Sequence, residues 1–178
     1  KEGDQFTIGK FKIHALETPG HTYDSLSYVL YDTSYSETTP VGVFTGDALF
    51  IGDVGRTDFF PDKKEEVAGL LYDSLFNKIL PLGDQTLLYP AHGAGSVCGS
   101  GMASREFSTL GFEKKFNPAL QKTDKNDFIQ YKVNEKHTMP PYFKKMEEYN
   151  QNGPPLRHMA TPSPMGAEEF ANANERKM

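Results

Sequence analysis

Three stretches organise this sequence: Thr18-Pro19-Gly20-His21-Thr22, Phe44-Thr45-Gly46-Asp47 and Tyr89-Pro90-Ala91-His92-Gly93. Each places one metal-capable side chain in a turn that follows an apolar, strand-like run. Imidazole and carboxylate groups are ligands that zinc and non-haem iron take in proteins. The three turns therefore predict a metal site formed by His21, Asp47 and His92. Taken singly, each residue also fits a polar turn or a cap on the following segment.

The segments around these turns predict the secondary structure. Apolar runs predict strands over residues 11–16, 26–31, 41–45 and 86–89. A helix is predicted over residues 63–79, capped by Asp62 and ended by Pro81. Its expected buried stripe consists of Val67, Leu70, Leu71, Ser74, Leu75 and Ile79. This order of strands and helix indicates an α/β fold in which helices cover a sheet.

Composition changes along the chain and predicts three segments. Residues 1–112 hold the three turns and the predicted sheet. Residues 113–150 are a helical extension, with helices expected over 124–136 and 141–150. Residues 151–178 begin as a linker with four prolines in 151–164, and a further helix is expected to start near residue 166.

Overall composition excludes some classes of function. A net charge of −5 and a pI near 5.5 argue against a nucleic-acid surface, which needs clustered Lys and Arg. No apolar run approaches the roughly 20 residues of a membrane span. The single cysteine, Cys98, excludes a disulfide within the chain and favours a reducing cytoplasm. Cys98 itself fits either a reactive thiol or a small buried apolar residue.

The loop Gly52-Asp53-Val54-Gly55-Arg56-Thr57-Asp58 holds a second group of candidate residues. Arg56 is the candidate catalytic residue, because a guanidinium can present a fixed fork of donors to an anion. The same fork can instead hold a neighbouring carboxylate. Asp53 and Asp58 are expected to cap turns.

These motifs together resemble the metallo-β-lactamase superfamily. The His21 turn with Ser27-Tyr28-Val29 looks like the third metal motif of that superfamily, residues 44–50 look like the fourth, and residues 89–93 look like the fifth. The loop over residues 52–58 resembles that of persulfide dioxygenases, which runs Gly-Arg-x-Asp. Residues 91–99 and 139–143 are similar to the bacterial branch that is fused to rhodanese domains. The resemblance covers roughly residues 5–160.

The resemblance implies a fold, a metal and a reaction. The fold would be the C-terminal half of an αββα sandwich, followed by extra helices. One ferrous iron would be held by two histidines and one aspartate, of which His21 and Asp47 are two. His92 would line the site, although in hydrolytic relatives its position binds a second metal. The enzyme would use O₂ to oxidise a thiol persulfide, such as glutathione or coenzyme A persulfide, to sulfite and thiol.

The superfamily's first metal motif, His-x-His-x-Asp-His, does not occur in this sequence. We therefore expect the remaining iron ligand to come from an N-terminal half outside this chain, and the chain alone to be inactive. We also expect an apolar sheet face that the missing half, a second copy in a homo-oligomer, or the folded-back tail would cover. Residues 167–178 resemble the start of a rhodanese domain, with Glu168-Glu169-Phe170 near a helix start.

Two other functions stay open at this stage. One is a thioesterase or hydrolase like glyoxalase II, with two zinc ions on the same fold. The other is a binding module that has kept the fold and lost the metal. Metal content would separate the first from the iron enzyme, and the coding sequence upstream of Lys1 would address the second.

Overall fold

The structure of the chain, a computed structural model, describes residues 1–96, 99, 101–136, 140–155 and 163–175. It divides into two compact units, Lys1–His137 and Thr138–Met178. The second unit contains helices α4 (Phe143–Asn152) and α5 (Ala167–Glu175), which correspond to the two predicted C-terminal helices. The assignment of residues 1–112, 113–150 and 151–178 to parts of a larger protein stays a prediction.

The first unit is built on one mixed sheet of six strands in sequential order. The strands are β1 (Gln5–Ile8), β2 (Phe11–Glu17), β3 (Leu26–Asp32), β4 (Gly42–Gly46), β5 (Leu87–Pro90) and β6 (Ser108–Thr109). All neighbouring pairs are antiparallel except β4 and β5, which run parallel. The four predicted strands are confirmed as β2 to β5. The sequence did not predict β1 and β6. The four residues of β1 are all exposed, and β6 has only two residues, so neither strand shows a clear alternation of apolar and polar side chains.

A continuous helical segment connects the parallel strands β4 and β5, as a parallel crossover requires. It begins with a 3₁₀ turn (Pro61–Lys63), continues as α1 (Lys64–Asp73) and a π-helical stretch (Ser74–Ile79), and ends with a 3₁₀ turn (Leu80–Leu82). The predicted helix over residues 63–79 is thus confirmed to within one residue at each end, but its predicted cap is wrong. Asp62 lies inside the first 3₁₀ turn and caps nothing, because no side chain bonds the first turn of α1. Pro81 is accommodated in the last 3₁₀ turn, where its missing N–H costs no α-helical bond.

Two further helices complete the first unit. Helix α2 (Leu110–Phe116) begins at Thr109, whose hydroxyl accepts from the backbone N–H of Phe112. Helix α3 (Lys125–Val133) begins at Asp124, whose carboxylate accepts from two backbone N–H groups. Gly69 of α1 lies against α3, where an added Cβ would meet the Ile129 side chain at 3.5 Å. The helices therefore form one layer on one face of the sheet.

The two faces of the sheet differ in burial. On the helix-covered face the strands contribute Val29, Val43 and Leu88 to the core, and the helical crossover contributes Leu71, Leu75 and Ile79. Leu70 of the predicted stripe is only partly buried. Because successive side chains of a strand point to opposite faces of the sheet, the other strand residues lie on the second face, where they are exposed. The exposed set includes Phe6, Phe11, Tyr28, Phe44, Leu87 and Tyr89.

The exposed set forms a row across the strands. Tyr28, Phe44 and Tyr89 are register partners on β3, β4 and β5, and the rings of Phe44 and Tyr89 stack at 5.1 Å. An apolar row on a sheet face is typical of a surface that packs against another layer. The expected apolar face is therefore present in this chain. In the described part of the chain, no helix has the length and apolar character required to cross a bilayer.

Candidate metal centre

The turn that carries His21 is pressed against α1. Gly20 has a φ of 146°, and an added Cβ there would lie 2.4 Å from the Cβ of Leu71. The hydroxyl of Ser74 donates to the carbonyl oxygen of Pro19 at 2.7 Å. Only glycine allows this close approach, so the backbone fixes the position of His21. His21 is consequently a buried residue, with 8% of its surface exposed.

Asp47 follows the end of β4 in a similarly tight arrangement. Gly46 has a φ of 54°, which turns the chain out of the strand. The Thr45 hydroxyl donates to the carbonyl oxygen of Leu49 at 2.7 Å and holds the turn closed. Gly55 then passes so close that an added Cβ would lie 2.1 Å from the carbonyl oxygen of Asp47. The loop over residues 47–55 therefore folds back over Asp47.

His92 reaches the same place from β5. The backbone N–H of Ala91 donates to the carbonyl oxygen of Gly46 at 3.0 Å, which joins the ends of the two parallel strands. Because parallel strands end at the same edge of a sheet, this bond brings Asp47 and His92 together. The imidazole of His92 is more open than that of His21, with 40% of its side chain exposed.

The three predicted ligands meet at one carboxylate oxygen. Oδ1 of Asp47 lies 3.1 Å from Nε2 of His92 and 3.9 Å from Nε2 of His21. This oxygen is buried, yet it has no hydrogen-bond partner with acceptable geometry. A buried anionic oxygen without a donor is costly unless a cation or a proton satisfies it. The donor set of two imidazole nitrogens and one carboxylate oxygen fits a divalent metal ion.

The His21 ring is held in the tautomer that a ligand needs. Its Nδ1 lies 3.1 Å from the carbonyl oxygen of Arg56. Because a carbonyl can only accept, Nδ1 carries the proton and Nε2 keeps its lone pair. Burial lowers the pKa of His21, against the opposing attraction of the Asp47 carboxylate. The edge of the ring also contacts Phe59, with centroids 4.9 Å apart. His21 is thus a neutral, oriented imidazole near neutral pH.

Arg56 forms an ion pair with Asp58, a residue of the same loop. Its Nε and Nη2 donate to the two carboxylate oxygens of Asp58 at 2.8 and 2.7 Å, and its side chain is 2% exposed. The guanidinium also lies 4.8 Å from the centroid of the Phe59 ring. Of the two roles weighed for Arg56, this geometry corresponds to holding a neighbouring carboxylate. Its predicted catalytic role stays a prediction.

A buried polar cluster on α2 anchors the loop that contains Arg56. Glu113 is fully buried and accepts from the N–H of Gly52 at 2.8 Å, the hydroxyl of Ser108 at 2.5 Å and the side-chain amide of Asn117 at 3.0 Å. The Asn117 amide also donates to the carbonyl oxygen of Asp53 at 3.0 Å. The sequence interpretation missed Glu113 and Asn117. Leu110, Glu113 and Asn117 have the i, i+3, i+7 spacing of one helix face, which was the available signal.

The remaining candidate residues have structural or undescribed positions. Asp53 accepts from the N–H groups of Val54 and Gly101 at 2.8 Å each, which agrees with the expected turn cap. Cys98 lies outside the described residues. Among the described residues, no group of three or more His, Cys, Asp or Glu side chains has an arrangement that could hold a metal ion.

Comparison with solved structures defines the class of protein. The chain matches a metallo-β-lactamase from Staphylococcus aureus subsp. aureus COL with a TM-score of 0.75 and 31% identity, over 97% of this chain and 53% of that one. It matches ETHE1 from Myxococcus xanthus with a TM-score of 0.65 and 32% identity, over 85% of this chain and 58% of that one. The chain therefore has the metallo-β-lactamase fold and corresponds to about half of these structures.

Sequence comparison places the chain more closely within this class. It is 39% identical to the mitochondrial persulfide dioxygenase ETHE1 of Homo sapiens over 120 residues, or 67% of this chain and 40% of that protein. It is 36% identical to the same protein of Mus musculus, over 67% of this chain and 39% of that protein. An uncharacterised protein of Mycobacterium leprae is 34% identical over 68% of this chain and 45% of its own length. No family model matches the chain.

The chain belongs to the metallo-β-lactamase superfamily, and its homologues include persulfide dioxygenases. It spans less than half the length of the curated relatives it matches.

Proposed function

We propose that this chain is the C-terminal half of the catalytic domain of a persulfide dioxygenase. The observation that carries the proposal is the convergence of His21 and His92 on the unpartnered Oδ1 of Asp47. The reaction takes up one O₂ and one water per thiol persulfide and yields the free thiol, sulfite and two protons. The four electrons that reduce O₂ come from the persulfide sulfurs, so atoms and electrons balance.

Ferrous iron is the metal that fits this reaction. When bound, it provides the open coordination positions at which O₂ and a persulfide react. His21 and Asp47 are the residues of this chain that would hold it, with a further histidine supplied from outside residues 1–178. The neutral, buried His21 suits this role because its free Nε2 needs no proton release before it binds a cation.

Two other residues of the site would affect the position of a metal ligand and the access of substrate to the site. Arg56 fixes the His21 ring through its carbonyl oxygen, while its guanidinium is bound by Asp58. Because the Arg56–Asp58 pair holds the loop around this carbonyl oxygen, it would help to keep a metal ligand in its orientation. His92 lines the open side of the site, where its partly exposed ring faces a cavity. The persulfide would enter from that side.

A hydrolase with two zinc ions is the second candidate. It is favoured by one observation, the short separation of 3.1 Å between Nε2 of His92 and Oδ1 of Asp47. Asp47, His21 and His92 would then together contribute to a two-metal site, in which the metal ions would activate water for hydrolysis. In this function His92 would be a metal ligand, and the product would be that of hydrolysis.

Metal analysis of the full natural protein tests the choice between them. One iron per protein, O₂ uptake and sulfite release with glutathione persulfide would support the dioxygenase. Two zinc ions per protein, thioester hydrolysis and no O₂ uptake would refute it in favour of the hydrolase. Metal-free protein without either activity would support a binding module and overturn both.

A further inference from the structure

The chain between Asp47 and Arg56 forms a small hairpin, residues 48–55, which we call the site hairpin. Its two arms meet at an isolated antiparallel bridge between Leu49 and Val54. Two further backbone hydrogen bonds, one on either side of this bridge, also join the arms. Because Asp47 and Arg56 flank its base, the position of the site hairpin determines where the Asp47 carboxylate and the Arg56 carbonyl oxygen lie.

The base of the site hairpin contacts two of the candidate ligands. The carbonyl oxygen of Arg56 lies 3.1 Å from Nδ1 of His21 and orients that ring. At Gly55, an added Cβ would lie 2.1 Å from the carbonyl oxygen of Asp47 and 3.3 Å from the Cβ of His21. The base therefore packs directly against both ligands, and a shift of the hairpin would displace them.

The tip of the site hairpin is bound by two side chains of the helix α2 region. Oε2 of Glu113 accepts from the N–H of Gly52 at 2.8 Å, and the side-chain amide of Asn117 donates to the carbonyl oxygen of Asp53 at 3.0 Å. The same Oε2 also accepts from the Asn117 amide at 3.0 Å. Both side chains are fully buried, so loss of the carboxylate would leave the N–H of Gly52 buried without its acceptor.

The second carboxylate oxygen of Glu113 binds a different part of the first unit. Oε1 accepts from the hydroxyl of Ser108 at 2.5 Å and lies 3.4 Å from Nη2 of Arg105. The two oxygens therefore have separate partners, since Oε2 holds the site hairpin and Oε1 holds β6 and the segment before it. This separation allows the two sets of contacts to be removed independently.

We propose that Glu113 is a positioning residue of the metal centre, which acts through the site hairpin on Asp47 and His21. Its carboxylate fixes the tip, the paired arms transmit this constraint to the base, and the base holds both ligands in place. The inference rests on the proposed function for the presence of a metal ion. It applies to an iron and to a zinc centre alike, because it concerns the geometry of the ligands and not the reaction.

The zinc affinity of the full natural protein, measured by competition with a coloured chelator, tests this without turnover. Glu113→Ala should raise the dissociation constant about tenfold or more. Glu113→Gln should restore the affinity, because its amide oxygen can accept from the N–H of Gly52 while its NH₂ group donates to the hydroxyl of Ser108. Ser108→Ala is the control within the same cluster. It removes a bond of Oε1 only and should leave zinc binding unchanged.

Phe128→Ala separates positioning from a general loss of stability. Phe128 is fully buried, and its ring contacts Tyr72 and Phe76 of the helical crossover. Its truncation should destabilise the first unit as Glu113→Ala does, yet keep the zinc dissociation constant within about twofold of the wild-type value. Each variant is measured at a temperature at which circular dichroism shows it folded. Equal loss of affinity in Phe128→Ala and Glu113→Ala would overturn the proposal.

Asn117→Ala is a second variant at the tip, and it keeps the Glu113 carboxylate. It removes the bond to the carbonyl oxygen of Asp53 and should also weaken zinc binding, by a smaller factor than Glu113→Ala. Nitrogen NMR of the His21 ring in chelator gives a readout without metal. We expect the Nδ1–H tautomer in the wild type and a mixture of tautomers in both tip variants.

The outcomes distinguish this inference from the proposed function. Unchanged zinc affinity and an unchanged His21 tautomer in Glu113→Ala and Asn117→Ala would overturn the inference, even in a protein that oxidises persulfide. Zinc affinity that depends on Glu113, in a protein that neither consumes O₂ nor hydrolyses thioesters, would sustain the inference and reject the proposed function.

Discussion

Nε2 of His92 lies 3.1 Å from Oδ1 of Asp47, although 45 positions separate the two residues in the sequence. The parallel pairing of β4 and β5 produces this proximity, because it brings the ends of both strands to one edge. The oxygen is buried and lacks a hydrogen-bond partner. Burial of this carboxylate oxygen without a donor therefore destabilises the metal-free chain at the place where the metal is proposed to bind.

Asp47→Asn should stabilise the metal-free chain while it removes metal binding. The substitution replaces an unpaired buried carboxylate oxygen by a neutral amide that can donate to His92. We expect the free energy of unfolding in chelator to rise by about 1 kcal/mol, measured by urea denaturation. Asp24→Asn, at an exposed turn position, serves as control and should change stability little. Lower stability of Asp47→Asn in chelator would contradict the unpaired state of this carboxylate.

His92→Ala should separate the two metal arrangements. In the dioxygenase, His92 lines the site, so the full natural protein should keep its one iron and lose activity only in part. In the hydrolase, the same change should remove one of two zinc ions. His21→Ala is the companion variant and should abolish metal binding in both cases, as measured by elemental analysis. Full retention of metal by His21→Ala would reject the assigned centre.

Gly55→Ala should disrupt the centre without touching a ligand. An added Cβ would lie 2.1 Å from the carbonyl oxygen of Asp47, so the loop must move away. We expect the metal content of the full natural protein to fall several-fold, because a displaced carboxylate binds the ion poorly. Gly93→Ala is the matched control next to His92, since nothing lies within 4 Å of its added Cβ. Equal metal content in both variants would show that the loop is not a constraint.

Glu113→Ala should destabilise the first unit strongly. It leaves the N–H of Gly52 without its acceptor, removes one of the two acceptors of the Asn117 amide, and leaves Arg105 without its buried partner. We expect the free energy of unfolding to fall by about 3–5 kcal/mol, measured by denaturant titration. Asp73→Ala removes an exposed ion pair with Lys125 and should cost less than about 1 kcal/mol. Similar losses for the two variants would show that the Glu113 cluster is not a structural anchor.

Phe44→Asp should affect the full natural protein more than residues 1–178 alone. Phe44 is 43% exposed on the open sheet face in this chain, but the fold predicts that a second layer covers it in the whole protein. We expect a clear loss of thermal stability in the full protein and little change in the 178-residue chain. Tyr35→Asp, at a residue that is 84% exposed in a loop, should have little effect in either. Equal behaviour of Phe44→Asp in both proteins would mean that nothing covers this face.

Much of the fold could be predicted because it depends on local patterns. Strands β2 to β5 and the crossover helix follow from apolar periodicity, and the turns at His21, Asp47 and His92 follow from nearby Gly and Pro. The 3₁₀ turns around Pro61 and Pro81 were not predicted, since they depend on how the crossover meets the sheet. Strand β6 was not predicted, because a strand of two residues is too short to show the alternation of apolar and polar side chains.

The sequence by itself determined which side chains stand in turns at the ends of strands, and so named His21, Asp47 and His92 as a group. Only the tertiary structure decided how each of them is held. The carbonyl of Arg56 orients His21 across 35 positions, and Glu113 supports Gly52 across 61. Such bonds join residues with no shared local pattern, because their partners meet only after the helices pack on the sheet. For the same reason, the pairing of Arg56 with Asp58 and the cavity between His92 and Arg105 became visible only in the folded chain.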